Sequence, residues 1–256
     1  MIYKLRPYST YRKMCLFEKL HLSYVHGFFL LMRVRILLIA MLMTVCSTHA
    51  ADNDSTKHWG FGLSFSPSKA IVMDEYQRKW QQKRNNFSVE LTATRQWLPR
   101  DSSQIAADYN YPALSISLKQ SWNHGVTMHR FPDHAWKFRN EANYDTKLGN
   151  SLSLYATFQR PIIRNRKWEF DYTLSIGAAY AHRIYNPETD IDNELIGAHT
   201  SIYFGAGTHV TYHMTDLWGL RFGIDYWHMS NGAMDRPNKG ANFIGPTLGF
   251  VYTPYH

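Results

Sequence analysis

The sequence predicts an all-β fold, an eight-stranded antiparallel transmembrane β-barrel of the bacterial outer membrane. Three observations predict it. Strict apolar/polar alternation, the period-2 signature of a strand, recurs eight times between residues 59 and 252. The alternating runs are about nine to twelve residues long, enough to cross a bilayer obliquely, where soluble strands average about five or six. One face of each run is apolar with aromatics at its ends, as in interfacial girdles; the other is small and polar with a few charges. Closure into a barrel pairs every backbone group, which hydrocarbon requires. A soluble lipocalin-like barrel or sandwich is the alternative fold.

The first run sets Trp59, Phe61, Leu63 and Phe65 against Gly60, Gly62, Ser64 and Ser66. The second sets Phe87, Val89, Leu91 and Ala93 against Ser88, Glu90, Thr92 and Thr94, and the third Leu114, Ile116 and Leu118 against Ser115, Ser117 and Lys119. In the fourth, Leu152, Leu154, Ala156 and Phe158 oppose Ser151, Ser153, Tyr155 and Thr157. The fifth is the longest, with Trp168, Phe170, Tyr172, Leu174, Ile176, Ala178 and Tyr180 on its apolar side and Glu169, Asp171, Thr173 and Ser175 on the other. The sixth carries Ile202, Phe204, Ala206, Val210 and Tyr212; the seventh Trp218, Leu220, Phe222, Ile224 and Tyr226; the eighth Ile244, Pro246, Leu248, Phe250 and Tyr252. Glu169, Asp171, Arg221 and Asp225 all fall on the inner side, as an ion-pair network would. With both ends of the barrel periplasmic, the outer loops are 67–86, 121–149, 181–197 and 229–242. The segment 213–217 is a short periplasmic turn, and 95–112 is longer than that side calls for.

Composition narrows the function. The chain of 256 residues is 45% hydrophobic, 15% aromatic and 19% charged, which excludes a disordered chain. A single long apolar run excludes a multispan helical protein. That run sits in residues 33–50: Arg33 and Arg35 form a basic start, Ile36 to Val45 an apolar stretch, and Thr48-His49-Ala50 a small-x-small cleavage site. Residues 1–50 are thus expected to be an upstream extension plus a cleaved signal peptide, with Met32 as the natural start, and 51–256 the barrel. The net charge of +8 would suggest an acidic partner such as nucleic acid. Removing residues 1–50 takes away seven Lys/Arg and one acid, leaving 21 basic and 19 acidic residues and a net charge of +2. The nucleic-acid signal leaves with the leader, as do both cysteines, Cys15 and Cys46.

Chemistry gathers in the last hairpin. Extending the outward parity of the seventh run gives His228 and Ser230; extending the eighth backwards gives Asn242. All three project to the lipid side at the outer end of the barrel, where an unpartnered His is costly. A hydroxyl, an imidazole and an amide together suit acyl transfer: Ser230 as nucleophile, His228 as base, and Asn242 to orient the ring. Asn231 and nearby backbone N–H groups are candidates for an oxyanion hole. Asp235 is an alternative orienter. Asn231-Gly232 also reads as a turn, and Pro237, Asn238 and Gly240 read as loop shapers. His124, His129 and His134 show no zinc-ligand spacing and read as surface residues. The outer leaflet of an outer membrane is lipopolysaccharide, so the ester would belong to a membrane lipid delivered laterally.

The segment YWHMSNGAMDRPNKGANFIGPTLGFVY (226–252), with His-x-Ser-Asn-Gly followed by Pro-Asn-x-Gly-x-Asn and a final strand, resembles the C-terminal hairpin of the PagL lipid A 3-O-deacylase family. The resemblance implies an outer-membrane hydrolase that removes the ester-linked 3-hydroxyacyl chain at the 3-position of lipid A. It implies Ser230 as nucleophile and His228 as base, with no metal or cofactor. Arg236 and Lys239 become candidates to contact lipid A phosphates, as do Arg78, Lys79, Lys83 and Arg84 of the first outer loop. The chain departs from the family pattern at Asn242, where the best-known members carry Glu; an amide cannot offer an imidazolium a negative charge. A non-catalytic barrel, or an esterase for another membrane lipid, is the competing expectation.

Overall fold

The computed structural model describes residues 58–129 and 146–254. The expected leader, residues 1–50, and His134 lie outside them. Eight long strands form one closed antiparallel barrel: β1 (Trp59–Ile71), β2 (Gln81–Gln96), β3 (Ala113–Met128), β4 (Ser151–Arg164), β5 (Trp168–Ala181), β6 (Thr200–His213), β7 (Trp218–Ser230) and β8 (Ala241–Tyr252). Each pairs with its sequence neighbours, and β1 closes on β8 from Phe61↔Tyr252 to Ile71↔Asn242. A two-residue strand, Thr146–Lys147, lengthens the edge of β3. No helix among the described residues is long and apolar enough to cross a membrane.

The alternation read from the sequence is the barrel's inside/outside pattern. Leu114, Ile116, Leu154, Leu174, Ile176, Phe204, Phe222, Ile224, Leu248 and Phe250 are exposed on the outer wall. A water-soluble protein would not display so continuous an apolar band; lipid is the solvent that suits it. At the rim where β1 begins and β8 ends, Trp168 packs on Tyr212 and Trp218 on Tyr252, the amphipathic aromatics expected at a headgroup boundary.

The lumen has two halves. Towards that rim it is polar, with rungs of hydroxyls such as Thr92–Ser117 and Thr94–Ser115, both 2.9 Å, surrounding a cavity of about 400 Å³. The expected ion-pair network is here. Arg221 donates to both oxygens of the fully buried Asp171 at 2.7 and 2.8 Å, and Arg164 pairs with Glu169 at 2.5 Å. His209, Lys119 and Glu90 join it: His209 lies 3.1 Å from Asp225, and the Lys119 ammonium lies 3.6 Å from Glu90. Lys119 also sits 3.8 Å from the ring centroid of Trp227, which begins the second half. There Trp227, Met229, Phe243, Tyr155, Tyr203, Val126, Met128, Leu195 and Ile196 form an apolar plug. Buried polar side chains continue beside this cluster: Ser68 donates to Asn86 at 2.6 Å, Asn86 to Asn123, Asn123 to the Gly149 carbonyl at 2.7 Å, and Gln77 to the Asp192 carbonyl at 3.0 Å.

Three of the four outer loops are shorter than the alternation implied, while the third, 182–199, keeps its length. β1 runs on to Ile71, β2 begins at Gln81, β3 continues to Met128, and β7 and β8 reach Ser230 and Ala241. Beyond the hydrocarbon both faces of a strand can be polar, so the apolar signal stops while the backbone ladder continues, as at Lys69↔Asn85. His124 is accordingly an exposed residue of β3 rather than of a loop. The segment between β2 and β3 owes its length to a 3-10 turn, Pro99–Asp101, and a short helix, α2 (Gln104–Asp108), capped by the Ser103 hydroxyl. The helix that precedes β2, α1 (Glu75–Trp80), is capped by Asp74. Both helices are too short to show an apolar stripe in sequence.

Candidate active site

Inward anchors fix the outward chemistry. Trp227 and Met229 are driven into the apolar plug, with 1% and 2% exposure, so His228 and Ser230, which alternate with them, face out. Phe243, fully buried, does the same for Asn242. A one-residue slip of β7 would bring the imidazole into the plug and Trp227 out to lipid, so register and site are specified together. His228 pairs directly with Asn242 across the β7–β8 ladder, and Ser230 pairs with Ile202 of β6.

The side chains use that placement. His228 Nδ1 lies 2.8 Å from Asn242 Oδ1. A carbonyl oxygen only accepts, so Nδ1 carries the proton and Nε2 is left as a base. Tyr226, two residues earlier on the same face, donates its hydroxyl to that same Oδ1 at 2.7 Å. Ser230 Oγ accepts from the Asn238 side-chain amide at 2.8 Å and from the Gly232 N–H at 3.3 Å, keeping its own proton to give. Among the described residues no hydrogen bond joins His228 to Ser230. Both are half-buried on the outer wall, flanked by the exposed apolar side chains of Ile202, Phe204 and Ile244. Gly240 lies against the imidazole, where a Cβ would stand 2.5 Å from His228 Cε1; its φ of +77° also suits glycine.

The loop 231–240 is built to return Asn238 to Ser230. Asn231 clamps it: its side chain accepts from Ala233 N–H at 2.9 Å and donates to the Asp235 carbonyl at 3.0 Å. Its own N–H donates to Asn238 Oδ1 at 3.4 Å, which turns the other end of that amide towards the serine. Asn231 alternates with Ser230 and is fully buried, and its side chain bonds within the loop; the groups that donate to Ser230 Oγ are the Asn238 amide and the Gly232 N–H. Asp235 is exposed, and among the described residues the side chain hydrogen-bonded to His228 Nδ1 is Asn242 rather than Asp235.

Lys239 latches the loop down. Its ammonium bridges Glu194 at 2.7 Å and Asp74 at 2.9 Å and lies 5.9 Å from the Trp80 ring centroid. Burial alone would lower its pKa; hydrogen bonds to the two carboxylates outweigh it and hold the ammonium above its ordinary value. The backbone of Lys239 and Gly240 donates to the carbonyls of Glu194 and Leu195. Lys239, a candidate for a lipid phosphate by sequence, is here already paired with two carboxylates. Arg236 stays exposed on the loop, as do Arg78, Lys79, Lys83 and Arg84 around α1 and the start of β2. Among the described residues no group of three or more His, Cys, Asp or Glu side chains is arranged to hold a metal ion.

The family model described as lipid A 3-O-deacylase (PagL) matches residues 105–251. No curated protein matches the chain. Among solved structures, the outer membrane enzyme PagL is 12% identical, covering 74% of this chain and 97% of its own, with a TM-score of 0.46. The Neisserial surface protein A is 12% identical over 77% and 97%, with a TM-score of 0.42. The attachment invasion locus protein Ail of Yersinia pestis is 11% identical over 76% and 96%, with a TM-score of 0.40.

Proposed function

We propose, from the premise that the chain belongs to the lipid A 3-O-deacylase (PagL) family, that it hydrolyses the 3-hydroxyacyl ester at the 3-position of lipid A with Ser230 as nucleophile and His228 as base. The observation that carries the residue assignment is the pair of hydrogen-bond sets on the lipid-facing wall. Asn242 fixes the His228 tautomer at 2.8 Å, and Asn238 and Gly232 N–H converge on the Ser230 oxygen.

The lipid A ester approaches sideways, within the leaflet, because the reacting side chains face outwards. Ser230 Oγ attacks the ester carbonyl as its proton passes to His228 Nε2. His228 and Ser230 are two residues apart on one face, about 6–7 Å along the strand, so proton transfer requires the two side chains to close that gap when the substrate is bound. Catalytic contacts of this kind commonly tighten only with substrate bound. Negative charge collects on the former carbonyl oxygen, and the Asn238 amide and the Gly232 N–H, which donate to Ser230 Oγ in the free protein, transfer to it as the oxyanion forms. The imidazolium then protonates the departing sugar oxygen, leaving the acyl chain on Ser230; water attacks in the second half, with His228 again the base. Asn242 orients the ring throughout, as an amide can, without the charge of a carboxylate.

The test is mass spectrometry of lipid A from outer-membrane-competent cells expressing the chain or its Ser230→Ala variant. The chain should remove one 3-hydroxyacyl mass and the variant none. Identical spectra would overturn the proposal.

A further inference from the structure

We infer that Tyr226 is a positioning residue of this site, whose hydroxyl holds the Asn242 amide in the orientation that lets an uncharged side chain serve His228. The inference rests on the reading of Ser230 and His228 as nucleophile and base.

An amide has two unlike ends. Oδ1 only accepts and Nδ2 only donates, and a half-turn about the last side-chain bond exchanges them. With Oδ1 towards His228, the imidazole proton stays on Nδ1 and Nε2 can take the serine proton. With Nδ2 towards His228, Nδ1 must accept; the proton moves to Nε2, and the ring can no longer act as base. A carboxylate at this position has two accepting oxygens and faces no such choice. An asparagine needs something else to select its orientation.

Tyr226 is placed to do so. It lies two residues before His228 on the outward side of β7, and Asn242 is its diagonal neighbour on β8, within reach of a long side chain. Its hydroxyl donates to Asn242 Oδ1 at 2.7 Å, while His228 Nδ1 lies 2.8 Å from the same oxygen. Two donors therefore meet on one carbonyl; turning the amide would make the phenol, a better donor than acceptor, accept from Nδ2 and would force the imidazole to change tautomer. A tyrosine that served only as an interfacial aromatic would contribute through its ring, and its hydroxyl would have no bearing on the histidine.

The test is a cycle of Tyr226→Phe in the native chain and in the Asn242→Glu variant, read as kcat and KM for lipid A hydrolysis in detergent micelles. In the native chain Tyr226→Phe should lower kcat about five-fold, the equivalent of one hydrogen bond of roughly 1 kcal/mol, with KM little changed. In Asn242→Glu, where either oxygen accepts, the loss should shrink to two-fold or less. Nitrogen-15 NMR of His228 gives a readout independent of turnover: Nδ1–H alone in the native chain, a mixture of tautomers in Tyr226→Phe. Equal losses in both backgrounds would assign Tyr226 a packing role and overturn the inference. So would an unchanged kcat with an unchanged tautomer. A native chain with no hydrolysis at all would count against the catalytic reading instead, and the NMR measurement would still decide the role of Tyr226.

Discussion

Gly240→Ala separates the geometry of the site from the stability of its loop. A Cβ at Gly240 would lie 2.5 Å from His228 Cε1, 3.3 Å from Nδ1 and 3.4 Å from Nε2. Carbon atoms rest about 3.5–4.0 Å apart, so the imidazole must retreat by roughly 1 Å. The ring is the free end of a side chain and can move cheaply, but a shift of that size away from productive alignment costs about 10²-fold in rate. The positive φ adds a strain of about 1–2 kcal/mol to folding. Gly232→Ala is the matched comparison: its φ is +67°, yet nothing lies within 4 Å of the added carbon. It carries similar strain and displaces no ring. In micelles containing lipid A, measured by released 3-hydroxy fatty acid, Gly240→Ala should lose about 10²-fold in kcat and Gly232→Ala no more than about ten-fold. Urea unfolding should show the two equally destabilised. Equal activity in the two variants would refute the idea that Gly240 exists to admit the imidazole.

Asn238→Ala removes one of the two donors on the Ser230 oxygen and should lower kcat about 10²-fold with KM little changed; a change confined to KM would make it a binding residue. Arg221→Leu leaves the fully buried Asp171 without its guanidinium and should destabilise the barrel by about 3–5 kcal/mol in urea titrations, while Asp171→Asn with Arg221→Leu should recover part of the loss. Lys239→Met should expose the loop 231–240 to protease by releasing it from Asp74 and Glu194. The Lys239 pKa is raised in the folded protein, so the latch is intact below the ordinary lysine pKa and is lost as pH rises through the raised one. Cleavage of the native loop should therefore accelerate only at strongly alkaline pH, and an acceleration on acidification to pH 7 would contradict the sign.

The barrel was legible because lipid outside and packing inside impose a period of two on every strand. Runs such as Trp168–Tyr180 and Trp218–Tyr226 carry that signal over their whole length. What was not legible lies where the two solvents stop differing. At Ser68–Lys69 and Lys83–Asn85 both faces can be polar, so strand and loop look alike and the ladder had to be seen to be located. The apolar plug was hidden for the converse reason. Trp227, Met229 and Phe243 are inward residues whose outward neighbours, His228, Ser230 and Asn242, are polar, so the apolar/polar contrast reverses there and the large residues read as part of an outward face.

In the site, parity alone carried His228, Ser230 and Asn242 to one face, and the Nδ1–Oδ1 contact joins the first and last of them. Loop closure carried the rest. Asn238 looked like a turn former beside Pro237, and only the clamp made by Asn231 shows that it returns to the serine. Lys239 looked like a free cation because its partners, Asp74 and Glu194, are far away in sequence. Tyr226 looked like another girdle aromatic, since a hydroxyl at the end of a ring gives no pattern in sequence.

On the proposed function, Ser230 is an activated nucleophile on the lipid-facing wall with His228 as its base. The most direct measurement is reaction of the membrane-embedded protein with a long-chain fluorophosphonate, followed by intact mass and peptide mapping. A single adduct on Ser230 with loss of fluoride, much slowed in His228→Gln, is the predicted result. Absence of an adduct on Ser230, or the same rate with His228 replaced, would contradict it.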